Sequence, residues 1–370
     1  MDIRTDEQSR VSGLNKSKPW LESFGDSIAI GAAGETSPAA CVTTEQLFTL
    51  HIPEHWRPNP AVNVHAEAIE PHVYDWFHEI GFDAEAIARL RSFAPGRYAG
   101  IPFSSVGRAE LLFIAKYLSL WLLWDDEDVE SKGRGFQLRM KGIFDPSAHA
   151  STNLCDEAWR RLFQELALVQ SPMLIEKMID GMHVWSAAAL VEAQVAKERV
   201  GRRVAFSDAL QSRIATIGMY VTAHLLEYAR HVELPDEFHD HAAIVAIKTL
   251  SNKIVGLGND LISLGKDLAS GYVNVILAYS DENRLSLPEA IGGVARMHDE
   301  ALLEFDRLVS SLPSFGPAYD EAVALWCRDL RHACLGFTLW EARAPRYTAF
   351  KLFVNGAAVE PRFVFHAQRS

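Results

Sequence analysis

From about Val62 onward, apolar residues return every three or four positions in nearly every segment, the spacing that lays them along one face of an α-helix. The pattern predicts helices over 62–79, 83–92, 107–127, 155–168, 172–199, 207–230, 240–270, 271–281, 287–310 and 317–341. Strict alternation, the mark of a half-buried strand, is scarce. The expectation is an all-α chain folded as one helical bundle.

The most apolar stretch, Leu111 to Trp124, runs for 14 residues and contains Lys116. A bilayer takes about 20 apolar residues to cross, so the stretch reads as a buried helix and no membrane span is expected. Residues 1 to about 45 are rich in Ser, Gly, Ala and Thr with little periodicity, and read as a loose extension without chemistry of its own. The loop Ser131 to His149, with Gly133, Gly135, Gly142 and Pro146, parts two groups of helices. No change in composition there marks a domain boundary.

A chain of 370 residues can bury a single large core. Its net charge of −12, from 36 basic and 48 acidic residues, argues against the broad phosphate-backbone interface of a nucleic-acid binder. The cysteines, Cys41, Cys155, Cys327 and Cys334, form no CxxC pair and are too sparse for a disulfide framework. Met1 to Trp20 lacks the apolar centre of a secretory signal. Both features make a cytoplasmic location the expectation.

The excess acid matters where it concentrates. Asp125-Asp126-Glu127-Asp128-Val129-Glu130 follows the apolar run directly. Asp126 and Glu130, four apart, share a helical face with Asp125 close by, so their oxygens can converge on hard cations such as magnesium, which favours carboxylates, water and substrate phosphate. The competing reading is a solvated helix end, although negative charge at a helix C-terminus opposes the macrodipole.

A second oxygen-bearing group follows at helical spacing. Asn259, Ser263 and Asp267 fall at i, i+4 and i+8, each step turning about 40° around the axis, so amide, hydroxyl and carboxylate make a ladder on one face with Lys266 beside it. Such a ladder suits a divalent cation held chiefly by a diphosphate. An exposed polar stripe is the alternative, but the apolar neighbours Val255, Leu257, Leu261, Ile262 and Leu264 point to burial, where unpartnered polar groups are costly.

A diphosphate also needs cationic donors, for which the arginine fork is the best match. Arg213 opens Arg-Ile-Ala-Thr216-Ile217-Gly218 inside a predicted helix, where a charge and a glycine amid apolar residues suggest a break beside a cavity; an ordinary surface arginine is the bland reading. Arg346 and Tyr347 follow Pro345, which ends the preceding helix, and both can donate to phosphate oxygens.

Taken in order, these segments resemble the class I terpene synthase family, of the microbial sesquiterpene cyclase type, from about Asn59 to Tyr347. Asp125, Asp126 and Glu130 resemble its aspartate-rich motif in the DDxxxE form. Asn259, Ser263 and Asp267 resemble NDxxSxxxE, with Asp where Glu is usual. Gly271 and Asn274 continue the pattern beyond Lys266-Asp267, and Trp340 precedes Arg346-Tyr347 at a familiar spacing. Arg213 stands where the family has its diphosphate-sensing arginine, with Thr216 as linker and Ile217 as effector at a helix break.

The resemblance implies a class I bundle around a central apolar cavity, with a catalytic domain over 56–350, an extension over 1–55 and a tail over 351–370. It implies magnesium ions, as a trinuclear cluster with manganese as a substitute, and an isoprenoid diphosphate bound by Arg213, Lys266, Arg346 and Tyr347. Trp121, Trp340, Phe103 and Phe113 are the candidate cavity aromatics. The implied reaction is cyclisation of farnesyl diphosphate to a sesquiterpene by a monomer or homodimer, with a diterpene cyclase or a non-catalytic helical binding protein as alternatives. Prenyl-chain elongation is disfavoured by the Asn/Ser/Asp ladder, and protonation-initiated cyclisation by the absence of DxDD.

Overall fold

A computed structural model describes residues 28–32, 48–125, 153–198 and 204–367. Asp126 to Glu130, the Ser131–His149 loop and Cys41 lie outside the described residues. The body is helical, as expected. Helices α1 (Ala66–Ile80), α2 (Ala84–Phe93), α3 (Pro95–Gly100) and α4 (Arg108–Trp124) are followed by α5 (Leu154–Ala167) and α6 (Pro172–Glu198). Then come α7 (Phe206–Thr216), α8 (Met219–Arg230), α9 (Asp236–Asp240), α10 (Ala242–Ser270), α11 (Val275–Asn283), α12 (Leu287–Ser310), α13 (Asp320–Glu341) and α14 (Pro345–Thr348).

Two helices are buried on most sides. In α4, Leu111, Phe113, Ile114, Ala115, Tyr117, Leu118, Leu120, Leu123 and Trp124 are all buried, which a helix reaches only when packed all round. Lys116 survives there because its ammonium meets Glu165 at 2.8 Å, a carboxylate that also accepts the Trp76 indole N–H at 2.7 Å. The other is α10, buried at nearly every position from Ser251 to Ala269 and flanked by α7, α8, α12 and α13. Among the described residues no single helix is long and apolar enough to cross a membrane.

Strands occur where only an extension and a tail were expected. β1 (Ile28–Ala32) pairs antiparallel with β3 (Phe350–Val354), which pairs with β4 (Ala357–Ala358). β2 (Phe48–Pro53) runs parallel to β5 (Pro361–His366) and packs on α12. Phe48, Leu50 and Ile52 are buried on alternate positions, a period-two pattern too short to stand out without its partner at the far end of the chain. The His51 amide N–H is held by both carboxylate oxygens of Asp299 at 3.1 Å.

A buried polar network ties α8 to α9 and α10. Glu227 accepts from the Leu234 amide at 2.9 Å and approaches His224 Nδ1 at 2.9 Å and His239 Nε2 at 3.2 Å. These three side chains have ligand atoms within 4.8 Å of one another, the proximity a metal would need. Yet Lys248 Nζ lies 2.8 Å from His239 Nδ1. An ammonium can only donate, so Nδ1 is the acceptor and Nε2 carries the proton given to Glu227; the group is a hydrogen-bonded relay.

Burial raises the Glu227 carboxyl, but the hydrogen bonds from His224 and His239 outweigh it and bring it down to about 2. An unfolded glutamate takes up its proton first as pH falls, so the contribution, about 3 kcal/mol, is complete above about pH 4.5 and is lost on the way to about 2. Thermal melts from pH 6 to pH 3 are expected to show Glu227→Gln less stable at pH 6 and with a shallower acid loss than the native chain. Parallel acid profiles would remove Glu227 from that role.

Candidate active site

The central cavity, about 150 Å³, lies among α3, α4, α6, α7, α10, α13 and α14. Its lining includes Asp125, Arg213, Thr216, Ile217, Asn259, Ser263, Lys266, Asp267, Arg346 and Tyr347, so every described member of the predicted metal and diphosphate sets meets in one place. Trp121 and Trp340 also line it. The cavity is not apolar throughout, because these charged and polar groups share its wall with aromatic rings.

Phe103 and Phe113 do not reach the cavity, which corrects their assignment as cavity aromatics. Phe113 is tilted on Tyr228 with ring centroids 4.6 Å apart. Eight residues before Trp121, it sits about 80° further around α4 and faces α8 instead. Phe103 is buried edge-on against Phe337, inside the core.

The ladder on α10 has its atoms sorted into donors and ligands. The Asn259 side-chain NH₂ donates to Glu341 Oε1 at 3.0 Å and to the Tyr347 hydroxyl at 3.2 Å, so its carbonyl oxygen is the atom suited to a cation. Ser263 Oγ donates to Asp267 Oδ2 at 2.6 Å, and Asn274 Nδ2 holds the same oxygen at 2.9 Å. An amide oxygen, a hydroxyl lone pair and a carboxylate oxygen on one buried face are a donor set for a hard divalent ion, braced by neighbours that orient it. Asp125 caps the end of α4 and adds a carboxylate to the same wall.

Arg213 is held by the residue beside the ladder. Its Nε lies 2.6 Å from Asp260 Oδ1, a close ion contact whose angle is too bent for a hydrogen bond, and its Nη2 lies 3.8 Å from Glu192. Burial works against the guanidinium charge, but Asp260 and Glu192 outweigh it and hold the group protonated. Burial pushes the Asp260 carboxyl up while Arg213 pulls it back, and the Val275 amide N–H donates to Oδ2 at 2.6 Å. The arginine stem can lie this close to α10 because position 256 is glycine; a Cβ there would come within 2.8 Å of Arg213 Cγ.

Just beyond Arg213 the helix breaks, as its sequence suggested. α7 stops at Thr216, Ile217 follows, and Gly218 turns at φ 86° to start α8. Only glycine adopts that conformation readily, and a Cβ would also meet the Trp121 ring at 2.8 Å. The Trp185 indole N–H donates to the Thr216 carbonyl at 2.8 Å, so one ring both lines the cavity and anchors the break.

Several lining residues carried no sequence signal that singled them out. Trp185 stands edge-on to Trp121 at 4.7 Å. Tyr98, on the short helix α3, stacks on Trp340 at 4.0 Å. Ala189, Glu192, Tyr272 and Glu341 also line the wall. Pro95, at the first position of α3, was the available hint of that helix. Asp260 was visible as the neighbour of Asn259, but counting in fours selects one face and passes over it.

A family model described as "Terpene synthase family 2, C-terminal metal binding" matches residues 116–304. That region contains Asp125, Arg213 and the whole ladder, and ends before Glu341 and Arg346-Tyr347. The 10-epi-cubebol synthase of Sorangium cellulosum (strain So ce56) is 30% identical over 194 residues, 52% of this chain and 56% of that protein. The "(+)-T-muurolol synthase ((2E,6E)-farnesyl diphosphate cyclizing)" of Roseiflexus castenholzii (strain DSM 13941 / HLO8) is 24% identical over 302 residues, 78% of this chain and 90% of that one. The crystal structure of a-eudesmol synthase superposes with a TM-score of 0.66 at 17% identity, covering 82% of this chain and 100% of that chain, a likeness of fold. The chain belongs to the terpene synthase family and carries its divalent-metal-binding region.

Proposed function

We propose that this terpene cyclase is magnesium-dependent, ionises farnesyl diphosphate and closes the resulting cation into a sesquiterpene, releasing diphosphate. The observation that carries the reading is the meeting, in one cavity, of the Asn259/Ser263/Asp267 ladder with Arg213, Lys266, Arg346 and a set of aromatic rings. The name of the Roseiflexus castenholzii relative, which describes it as farnesyl diphosphate cyclizing, supports the fifteen-carbon substrate.

In ionisation the allylic carbon–oxygen bond breaks heterolytically, and both electrons leave with the diphosphate. Asn259, Ser263 and Asp267 with Asp125, and by the motif Asp126 and Glu130, would hold magnesium, as three ions or with manganese in its place, which when bound would supply positive charge to the leaving diphosphate. Arg213, Lys266 and Arg346 add cationic donors to the same anion. Burial pushes the Tyr347 hydroxyl far above its ordinary pKa, so Tyr347 keeps a proton to donate as a hydrogen bond. Thr216 and Ile217 at the helix break help wall off water, and Trp121, Trp185, Tyr98 and Trp340 do the same while presenting π-electrons to the cation. Loss of a proton, or capture of water, ends the sequence.

The test is incubation with geranyl, farnesyl and geranylgeranyl diphosphates, with magnesium or with chelator, followed by gas chromatography and diphosphate assay. A cyclic fifteen-carbon product from farnesyl diphosphate, lost with chelator, is expected. Product from geranylgeranyl diphosphate alone would make the protein a diterpene cyclase. No diphosphate release from any of the three would overturn the catalytic reading in favour of a binding protein.

A further inference from the structure

Glu341 ends α13 inside the cavity wall, with only 6% of its surface exposed. A buried carboxylate is costly unless something needs it. Its Oε1 accepts the Asn259 NH₂ group at 3.0 Å, while Oε2 is sealed from solvent with no hydrogen-bond partner. The surrounding groups are Asn259, Asp260, Arg213 and Arg346, with Tyr98 and Tyr347 facing the same carboxyl.

An asparagine offers two chemically opposite ends of similar shape, and only one can bind a cation. Which end turns to the ligand is decided by what holds the other. The Tyr347 hydroxyl cannot decide it, since a hydroxyl both donates and accepts. Glu341 Oε1 accepts from the Asn259 amide, and so selects the NH₂ end.

We infer that Glu341 is a positioning residue for the metal site, fixing the Asn259 amide so that its carbonyl oxygen is presented to the cation. The inference rests on the metal-site reading above and adds to it a residue outside both motifs. It also gives Oε2 a purpose. An unpartnered buried acceptor costs about 1–3 kcal/mol, a cost relieved once a donor such as a cation-bound water completes the network.

The experiment measures manganese binding to the full-length chain by electron paramagnetic resonance, with inorganic pyrophosphate present and no turnover. Native protein is compared with Glu341→Gln, Glu341→Asp and Asn259→Ala, each checked for helicity by circular dichroism. Glutamine keeps the shape but can present either a donor or an acceptor to Asn259, so its half-saturating manganese concentration is expected to rise about 10–100-fold, the usual loss for a group that supports a metal ligand. Aspartate keeps both acceptor oxygens and is expected to recover much of that loss. Glu341→Asp no better than Glu341→Gln would make the effect one of packing and overturn the assignment. Native-like binding by Glu341→Gln with Asn259→Ala impaired would overturn the role of Glu341 alone. Native-like binding by both Glu341→Gln and Asn259→Ala would overturn the metal-site reading itself.

Discussion

Asn259→Ala is expected to lower the turnover of farnesyl diphosphate by more than about a thousandfold, beyond the 10–100-fold typical when a residue merely supports a metal ligand. The reason is the division of labour in its amide. Alanine removes the carbonyl oxygen proposed to bind the cation, and it also removes the NH₂ group that engages Glu341 and Tyr347. The helix itself should tolerate the change, since alanine is the best helix former and α10 is held by burial at nearly every position from Ser251 to Ala269. Two buried acceptors lose a donor, so a modest fall in thermal midpoint is expected alongside the kinetic loss. Steady-state rates across a magnesium series, with circular dichroism as the control, make the measurement. A folded variant turning over within tenfold of native would take Asn259 out of the metal set.

How much of this was readable in the chain depended on whether a residue's role follows from its own helix. The ladder is an intrahelical fact: Asn259, Ser263 and Asp267 share a face by spacing alone, and the apolar residues around them announced burial. Arg213 and Gly218 were legible for a similar reason, since a charge and a glycine inside an amphipathic pattern mark a local break. Glu192, Trp185 and Tyr98 were not, because each joins the cavity through the way its helix is packed, which no period records. Phe113 shows the same limit in reverse. It shares an apolar helix with Trp121, but α4 is buried on most sides, and there periodicity cannot say which face meets the cavity and which meets α8. The strands at the chain ends were hidden differently: β2 finds its partner in β5 at the opposite end of the sequence, and a short strand read without its neighbour is indistinguishable from a loop.

Asp260 illustrates how a motif can be recognised while half of its physics is missed. As the neighbour of Asn259 it points about 100° away around the helix, so it does not join the ladder. What it does is engage Arg213 from below, with its other oxygen held by the Val275 amide. The proposed metal ladder and the proposed diphosphate arginine are thereby braced by adjacent residues of one helix. A shift of α10 would move both together.

That coupling sets the expectation for Arg213→Lys, which keeps the charge and should still lower kcat/KM for farnesyl diphosphate by about a hundredfold or more, the scale of losing one preorganised donor to a developing anion. Guanidinium can face Asp260 with Nε and still direct its terminal nitrogens elsewhere, because its donors fan out from a rigid plane. An ammonium is a single point. Drawn by Asp260 and Glu192, it would neutralise the acids at the expense of the substrate, or serve the substrate and leave Asp260, fully buried, without its counter-ion. The first outcome lowers activity with stability kept; the second lowers both. Glycine at 256 offers no escape, since the room it provides fits the arginine stem where it already lies. Kinetics and thermal melts on the same preparation separate the two outcomes, and a loss in kcat/KM under about fivefold would show that Arg213 serves the fold through Asp260 and not the departing diphosphate.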